Sequence, residues 1–286
     1  MRIDYLGPFR AAQAGHTSSE SNAMRTLVAI PVYNEAKYVR GVLAKVLTHA
    51  EHVLMVDDGS TDDTPRILPD FPVEIIRHSK NRGYGKSLKD AFRFAIAEDF
   101  DWLITMDCDE QHEPAAIPEF IEQAGRDNAD IISGSRYLVP ANDDDRPPAD
   151  RRAINATMTD EINTRLASAL GGPLTDAFCG FKAYRVDSLK LLRPTVSGYA
   201  FPMQFWVQAA ASGLRVRELP VRRIYNDLTR TFGGTLDDAE LRLAHYRMIL
   251  RRELRRRAGH LPASALAGLA ACGDSESKDI AECCGT

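Results

Sequence analysis

The sequence predicts an α/β fold built on a single, mainly parallel sheet flanked by helices, and three observations carry that expectation. Short, continuous apolar runs, the mark of strands buried on both faces, recur at residues 27–30, 53–56 and 102–106, and a further strand is expected at 73–76. Segments with apolar residues at helical spacing separate them, as with Val39, Val42, Leu43, Val46 and Leu47, then Leu88, Ala91, Phe92, Ala95 and Ile96. Strands that alternate with helices imply right-handed crossovers and parallel pairing.

In chain order, residues 1–23 are rich in small and polar groups and read as a disordered leader, so the folded unit is expected at 24–235. Pro31 and Asn34 end the first strand. The second strand ends in Asp57-Asp58-Gly59-Ser60, and a helix with Pro65 in its first turn is expected over 61–68. The third strand precedes Asn81-Arg82-Gly83-Tyr84-Gly85, and the fourth precedes Asp107 to His112. A helix at 114–123 and a strand at 131–133 follow. Residues 139–150, with Asp143, Asp144, Asp145 and Pro147-Pro148, read as a mobile loop. Helices near 154–170 and 201–211, a strand at 216–221, and a basic helix within 236–257 complete the pattern. From 258 to 286 Ala, Gly and Ser dominate, and order is expected to fade.

Composition bounds the function. The 286 residues suffice for a full core, and the apolar (44%) and charged (27%) fractions are those of a globular protein. A net charge of −4 argues against nucleic acid as a partner. No apolar run is long enough to span a bilayer. The five cysteines form no Cys-x-x-Cys pair, which disfavours a zinc or redox centre, and Cys283-Cys284 read as reduced thiols. A cytoplasmic location is expected, with peripheral contact at the inner membrane face as an option.

The chemistry sits where each polar cluster follows a strand. In a parallel sheet those carboxyl ends share one rim, where open α/β sheets bind ligands. Asp107 and Asp109, one residue apart at the end of a strand, can approach a single cation. Paired hard oxygens suit Mg²⁺ or Mn²⁺, especially when a diphosphate completes the shell. Glycines let backbone approach a phosphate. A phosphate-loop reading of Gly85-Lys86-Ser87 fails, because Lys80 stands where that motif needs glycine.

Pro31-Val32-Tyr33-Asn34-Glu35, Val56 to Asp62, Asn81 to Gly85 and Asp107 to His112, in this order, resemble the family 2 glycosyltransferases of the GT-A, Rossmann-like fold. Gly134-Ser135-Arg136-Tyr137 and Asp176 to Arg185 narrow the resemblance to dolichol- or polyprenyl-phosphate sugar synthases, over about residues 25–235. The resemblance implies that Pro31, Tyr33 and Glu35 wall the nucleotide. It places Asp58 at the base or ribose with Asp57 supporting the loop, and Asn81 and Gly83 beside the donor. Asp107 and Asp109 would hold metal and diphosphate, with Gln111 a further oxygen in the metal shell. Arg136 and Arg152 would bind phosphate, Asp176 would line the sugar or acceptor pocket, and Arg230 would clamp the leaving diphosphate.

The implied activity is metal-dependent, inverting transfer from a GDP- or UDP-sugar to an acceptor, foremost a polyprenyl or dolichyl phosphate. A small hydroxylated acceptor, for which Asp176 would take the proton, and a non-catalytic sugar-nucleotide binder are the alternatives. Two departures stand out. Gln204 occupies a position where those synthases carry Glu, and the 139–152 segment is acidic for a site that receives an anion. The basic helix at 236–257 fits either a leaflet surface or the domain itself, with its basic end favoured by the helix dipole.

Overall fold

The structure, a computed structural model, describes residues 24–139, 147–224 and 233–269. Its elements run β1 (Thr26–Val32), α1 (Val39–Val46), β2 (His52–Asp57), α2 (Thr64–Ile67), β3 (Glu74–Arg77), α3 (Tyr84–Ala97), β4 (Trp102–Thr105), α4 (Ile117–Gly125), β5 (Ile131–Ser135), α5 (Ala149–Leu170), β6 (Lys182–Arg185), α6 (Val186–Leu189), α7 (Phe201–Ala211), β7 (Val216–Pro220) and α8 (Ala239–Arg256). The strands form one seven-stranded sheet in the order β3-β2-β1-β4-β6-β5-β7. β1, β2, β3 and β4 are parallel neighbours, whereas β6 runs antiparallel between β4 and β5.

The apolar runs are strands because both faces are covered. Leu27 and Ala29 of β1 face a core with α3, α5, α7 and α8. Val28, Ile30 and Val32 face a second core with α1 and α4. This is the period-2 alternation of a strand applied to two buried sides. From β1 the chain winds outward through β2 and β3, then returns to lay β4 on the other side of β1. The reversal opens a crevice between the carboxyl ends of β1 and β4, the place where such sheets bind ligands.

Four expectations change. The helix foreseen at 61–68 is the single turn α2 followed by a 3₁₀ turn at Leu68–Asp70, because Pro69 cannot continue the ladder. α5 starts earlier than 154, at Ala149 directly after Pro148, so only part of the expected 139–150 loop is irregular; residues 140–146, with the three acids, lie outside the described set. β6 was not foreseen. The segment after Arg257 does not lose order there: 3₁₀ turns at Ala258–His260 and Ala263–Leu266 follow, and Ala265 is fully buried. The leader 1–23 and the tail from 270, with Cys283 and Cys284, lie outside the described residues.

α8 packs into the domain. Tyr246, Ile249, Leu250 and Leu254 are buried in the first core, each worth about 1.5–3 kcal/mol of removal from water. Asp238 caps the helix by accepting from the Glu240 and Leu241 N–H groups, and Arg255 and Arg256 sit in its last turn. The buried face of this basic helix packs on α7 and α5. Among the described residues no helix is long and apolar enough to cross a membrane.

Candidate active site

A cleft of about 580 Å³ opens at the crevice predicted by the strand order. Ten sequence-predicted residues line it: Pro31, Tyr33 and Glu35 after β1, Asp58 after β2, Asn81 and Gly83 before α3, Asp107, Asp109 and Gln111 after β4, and Arg136 after β5. The topology alone brings these distant stretches to one rim.

Local bonding explains each turn. Asn34 adopts a left-handed conformation (φ 58°), and its Oδ1 accepts from the Thr61 (2.8 Å) and Asp62 (3.3 Å) N–H groups, tying the β1 turn to the β2 turn. Asp57 does not reach the cleft. It is fully buried, accepts from Ser60 N–H (2.8 Å) and lies 3.1 Å from Arg77 Nε, so it supports the loop from below. Asp58 accepts from the N–H groups of Arg82 (2.8 Å) and Gly83 (2.7 Å) and pairs with His78 (2.5 Å). Both its oxygens are thus committed to the turn that carries Asn81 and Gly83. Lys86 pairs with Asp90 within its own helix, consistent with rejecting a phosphate loop.

The acidic loop is shaped by His112. Its Nδ1 accepts from the Asp107 N–H (2.9 Å), which requires a neutral ring on that side. Burial, the largest influence, pushes its pKa down to about 4, so the ring is neutral at pH 7. Gln111 N–H donates to Asp109 Oδ1 (3.1 Å), and Glu110 takes the left-handed turn (φ 58°) between them. The Tyr84 hydroxyl lies beside Asp107; burial first, then that carboxylate, raise its pKa well above the usual phenol value. Gly180 faces the same carboxylate. A Cβ there would stand 2.7 Å from Asp107 Oδ2 and 2.9 Å from the Tyr84 hydroxyl, so only glycine leaves the acid its place.

Among the described residues no three His, Cys, Asp or Glu side chains gather as a complete metal cage. The donor set does fit a hard cation that takes one or two carboxylates from protein and the rest from water and substrate phosphate. Asp107 and Asp109, with the Gln111 amide, are the residues that would hold it.

Cationic and aromatic side chains also line the cleft. Arg136 donates through Nε (2.7 Å) and Nη2 (3.0 Å) to Asp176, which also accepts from Asn155 Nδ2 (2.8 Å) and Phe178 N–H (3.2 Å). Asp176 is fully buried and absent from the cleft lining. Burial alone would raise its pKa, but the Arg136 charge and these bonds hold it well below the carboxylate range. The carboxylate, engaged by Arg136, Asn155 and the Phe178 N–H, is placed to orient Arg136. Arg152 is exposed and does not line the cleft; Arg151 does, together with Ile154 and Asn155 on the same face of α5. Buried Lys182 also lines the cleft, and burial lowers its pKa. Phe178, Tyr199, Phe201, Phe205 and Tyr246 supply aromatic wall, with Tyr199 stacked on Tyr84. Arg230 lies outside the described residues.

Gln204 is away from the cleft. Buried in α7, it accepts from the Thr195 (2.7 Å) and Val196 (2.9 Å) N–H groups and donates to Glu253 of α8 (2.8 Å). The neutral amide is what lets it sit against that buried carboxylate. The segment it holds packs on Gly83 and Gly85, where added Cβ atoms would lie 2.5 Å from Ser197 O and 2.8 Å from Val196 O.

Residues 27–193 match the model of glycosyl transferase family 2. The undecaprenyl-phosphate mannosyltransferase of Micrococcus luteus is 29% identical over 82% of this chain and 100% of its own length. The polyprenol monophosphomannose synthase of Mycolicibacterium smegmatis is 27% identical over 78% of this chain and 86% of its own. Among solved structures, glucosyl-3-phosphoglycerate synthase of Mycobacterium tuberculosis with Mg²⁺ and UDP superposes with a TM-score of 0.61 at 16% identity, over 84% of this chain and 81% of that one. At that identity the likeness speaks for the fold.

Proposed function

The chain belongs to glycosyl transferase family 2, and on that premise we propose that it transfers a sugar, with inversion, from a nucleoside diphosphate sugar to a polyprenyl phosphate. The observation that carries the reading is one cleft lined by paired carboxylates, Asp107 and Asp109, by two arginines, Arg136 and Arg151, and by aromatic wall. The relatives named for undecaprenyl-phosphate and polyprenol-phosphate mannosyl transfer support the acceptor class.

Pro31, Tyr33 and Glu35, facing Asn81 and Gly83, form the nucleotide wall. Asp107, Asp109 and Gln111 would hold Mg²⁺ or Mn²⁺, which when bound would supply positive charge against the departing diphosphate. Arg136, aimed by Asp176, and Arg151 with Asn155 receive the acceptor phosphate as planar, multiply donating partners. A phosphate oxygen forms the new bond to the anomeric carbon while the bond to the nucleoside diphosphate breaks and its electrons leave with that group. An acceptor already anionic needs no base, which agrees with the absence of an available carboxylate at Asp176. Ile154, Phe178 and Phe205 offer apolar surface to the first prenyl units. The acceptor sits at a membrane, so contact with the leaflet is peripheral, and the cytoplasmic face is where the donor is met.

Transfer of radiolabelled sugar from GDP-mannose and UDP-glucose, each with Mn²⁺, into organic-extractable polyprenyl phosphate tests this. Label entering the lipid with either donor supports the reading. Label entering only water-soluble hydroxylated acceptors contradicts it.

A further inference from the structure

His78 lies at the end of β3, buried, outside the cleft lining and outside every motif singled out in the sequence. Its Nδ1 is 2.5 Å from Asp58 Oδ1 and its Nε2 is 2.8 Å from Asp90 Oδ2. Both ring nitrogens therefore face acceptor-only groups, and a ring that satisfies both carries two protons. The charged groups around it are Asp58 and the Asp57–Arg77 pair from the neighbouring strand ends, and Asp90 from α3, itself paired with Lys86 and Arg93 (2.9 Å). Burial opposes the charged ring, yet the two carboxylates outweigh it and raise its pKa above the ordinary value. Asp90 is correspondingly lowered to about 2: burial pulls it upward and the His78 and Lys86 bonds overcome that.

The consequence reaches the cleft through Asp58. That carboxylate holds the Arg82 and Gly83 N–H groups, and Gly83 (φ 95°) starts α3 and lines the cleft beside Asn81. The two loops meet backbone to backbone, since a Cβ on Gly59 would lie 2.4 Å from the Lys80 carbonyl carbon. No side-chain packing stands between them at that point, so the charged bonds set their spacing. We propose that His78 is a positioning residue for donor binding: an imidazolium clamped between Asp58 and Asp90 that anchors the nucleotide-side turn to α3.

Deprotonation would leave a ring lone pair facing a carboxylate. Asp58 would lose its charge-assisted bond, and the Asn81–Gly83 turn its anchor. Donor affinity should then fall as pH rises through the His78 pKa, while ordinary protein stability losses at acid pH are unrelated to it. The inference rests on the donor reading above.

The test uses the full chain. Nitrogen-15 spectra of labelled histidine report the ring state directly, and calorimetry with UDP and with GDP, each with Mg²⁺, is run from pH 6 to pH 9.5 on the native protein and on Asp90→Asn. The expected result is a doubly protonated His78 ring at pH 7, about tenfold weaker nucleotide binding once the ring titrates, and an alkaline loss that begins at lower pH in Asp90→Asn. A ring with one bare nitrogen at pH 7 overturns the proposal whatever binds, and this holds even if Asp90→Asn does not fold. Nucleotide affinity that stays flat while the ring titrates also overturns it. If neither nucleotide binds at any pH although the ring is doubly protonated, the donor reading itself fails and the proposed role falls with it.

Discussion

Replacing Asp176 with Asn separates an orienting anion from a catalytic base. The carboxylate is fully buried and accepts from Arg136 Nε and Nη2, Asn155 and the Phe178 N–H. An amide has one acceptor oxygen, so one side of the Arg136 fork faces an NH₂ group. Breaking a buried pair by changing one partner costs about 3–5 kcal/mol, which for a domain of this size is a fall in Tm of roughly 6–20 °C. The sign with pH follows from the depressed folded pKa: the stabilisation is complete above the unfolded carboxyl value of about 3.9 and is lost as pH falls through the lower folded value. The variant should therefore lose stability at pH 7 and differ little from the native protein once acid has protonated both states. Thermal melts across pH, paired with transfer kinetics, are the assay. With Arg136 misaimed, the acceptor KM should rise. A variant that melts within about 2 °C of native while kcat collapses would refute the reasoning, because it would mean that Asp176 acts on the proton and not on Arg136.

Other substitutions probe the remaining parts. Asp109→Ala should abolish transfer with the fold intact by circular dichroism, and unchanged transfer would remove the metal assignment. Gly180→Ala forces atoms to within 2.7 Å of Asp107 and should lower transfer by about tenfold or more, against a small change in Tm; normal activity would show that Asp107 can shift harmlessly. Arg151→Ala should raise the acceptor KM by about tenfold, while exposed Arg152→Ala should stay within about twofold; the reverse order would contradict the phase of α5. Gln204→Glu places a second carboxylate against buried Glu253 and should destabilise at pH 7 by about 1–3 kcal/mol, measurable by urea unfolding.

The first half of the fold was legible because β1, β2 and β4 are buried on both faces and announce themselves as apolar runs. The rim clusters were legible for the same reason: each polar stretch follows such a run. β6 was hidden because Lys182 and Arg185 bracket only two apolar residues, and its burial depends on β4 and β5 from elsewhere in the chain. Arg151 could not be told from Arg152 without the phase of α5, since one residue on a helix turns the side chain by about 100°. Asp176 is expected in the cleft from its motif, but it is buried against Arg136, which comes from the distant end of β5. The His78–Asp90 contact joins a strand end to a helix, and no spacing rule reveals it. The change at Gln204 was visible in the sequence; its reason, Glu253 on α8, was not.

The central claim is a divalent ion held by Asp107 and Asp109 that receives the donor's diphosphate. Calorimetry of UDP and GDP binding, with Mn²⁺ present and after chelation, on the native chain and on Asp107→Asn tests it most directly. The account predicts tight binding that requires both the metal and Asp107. Binding of equal strength without metal, or undiminished in Asp107→Asn, would contradict it.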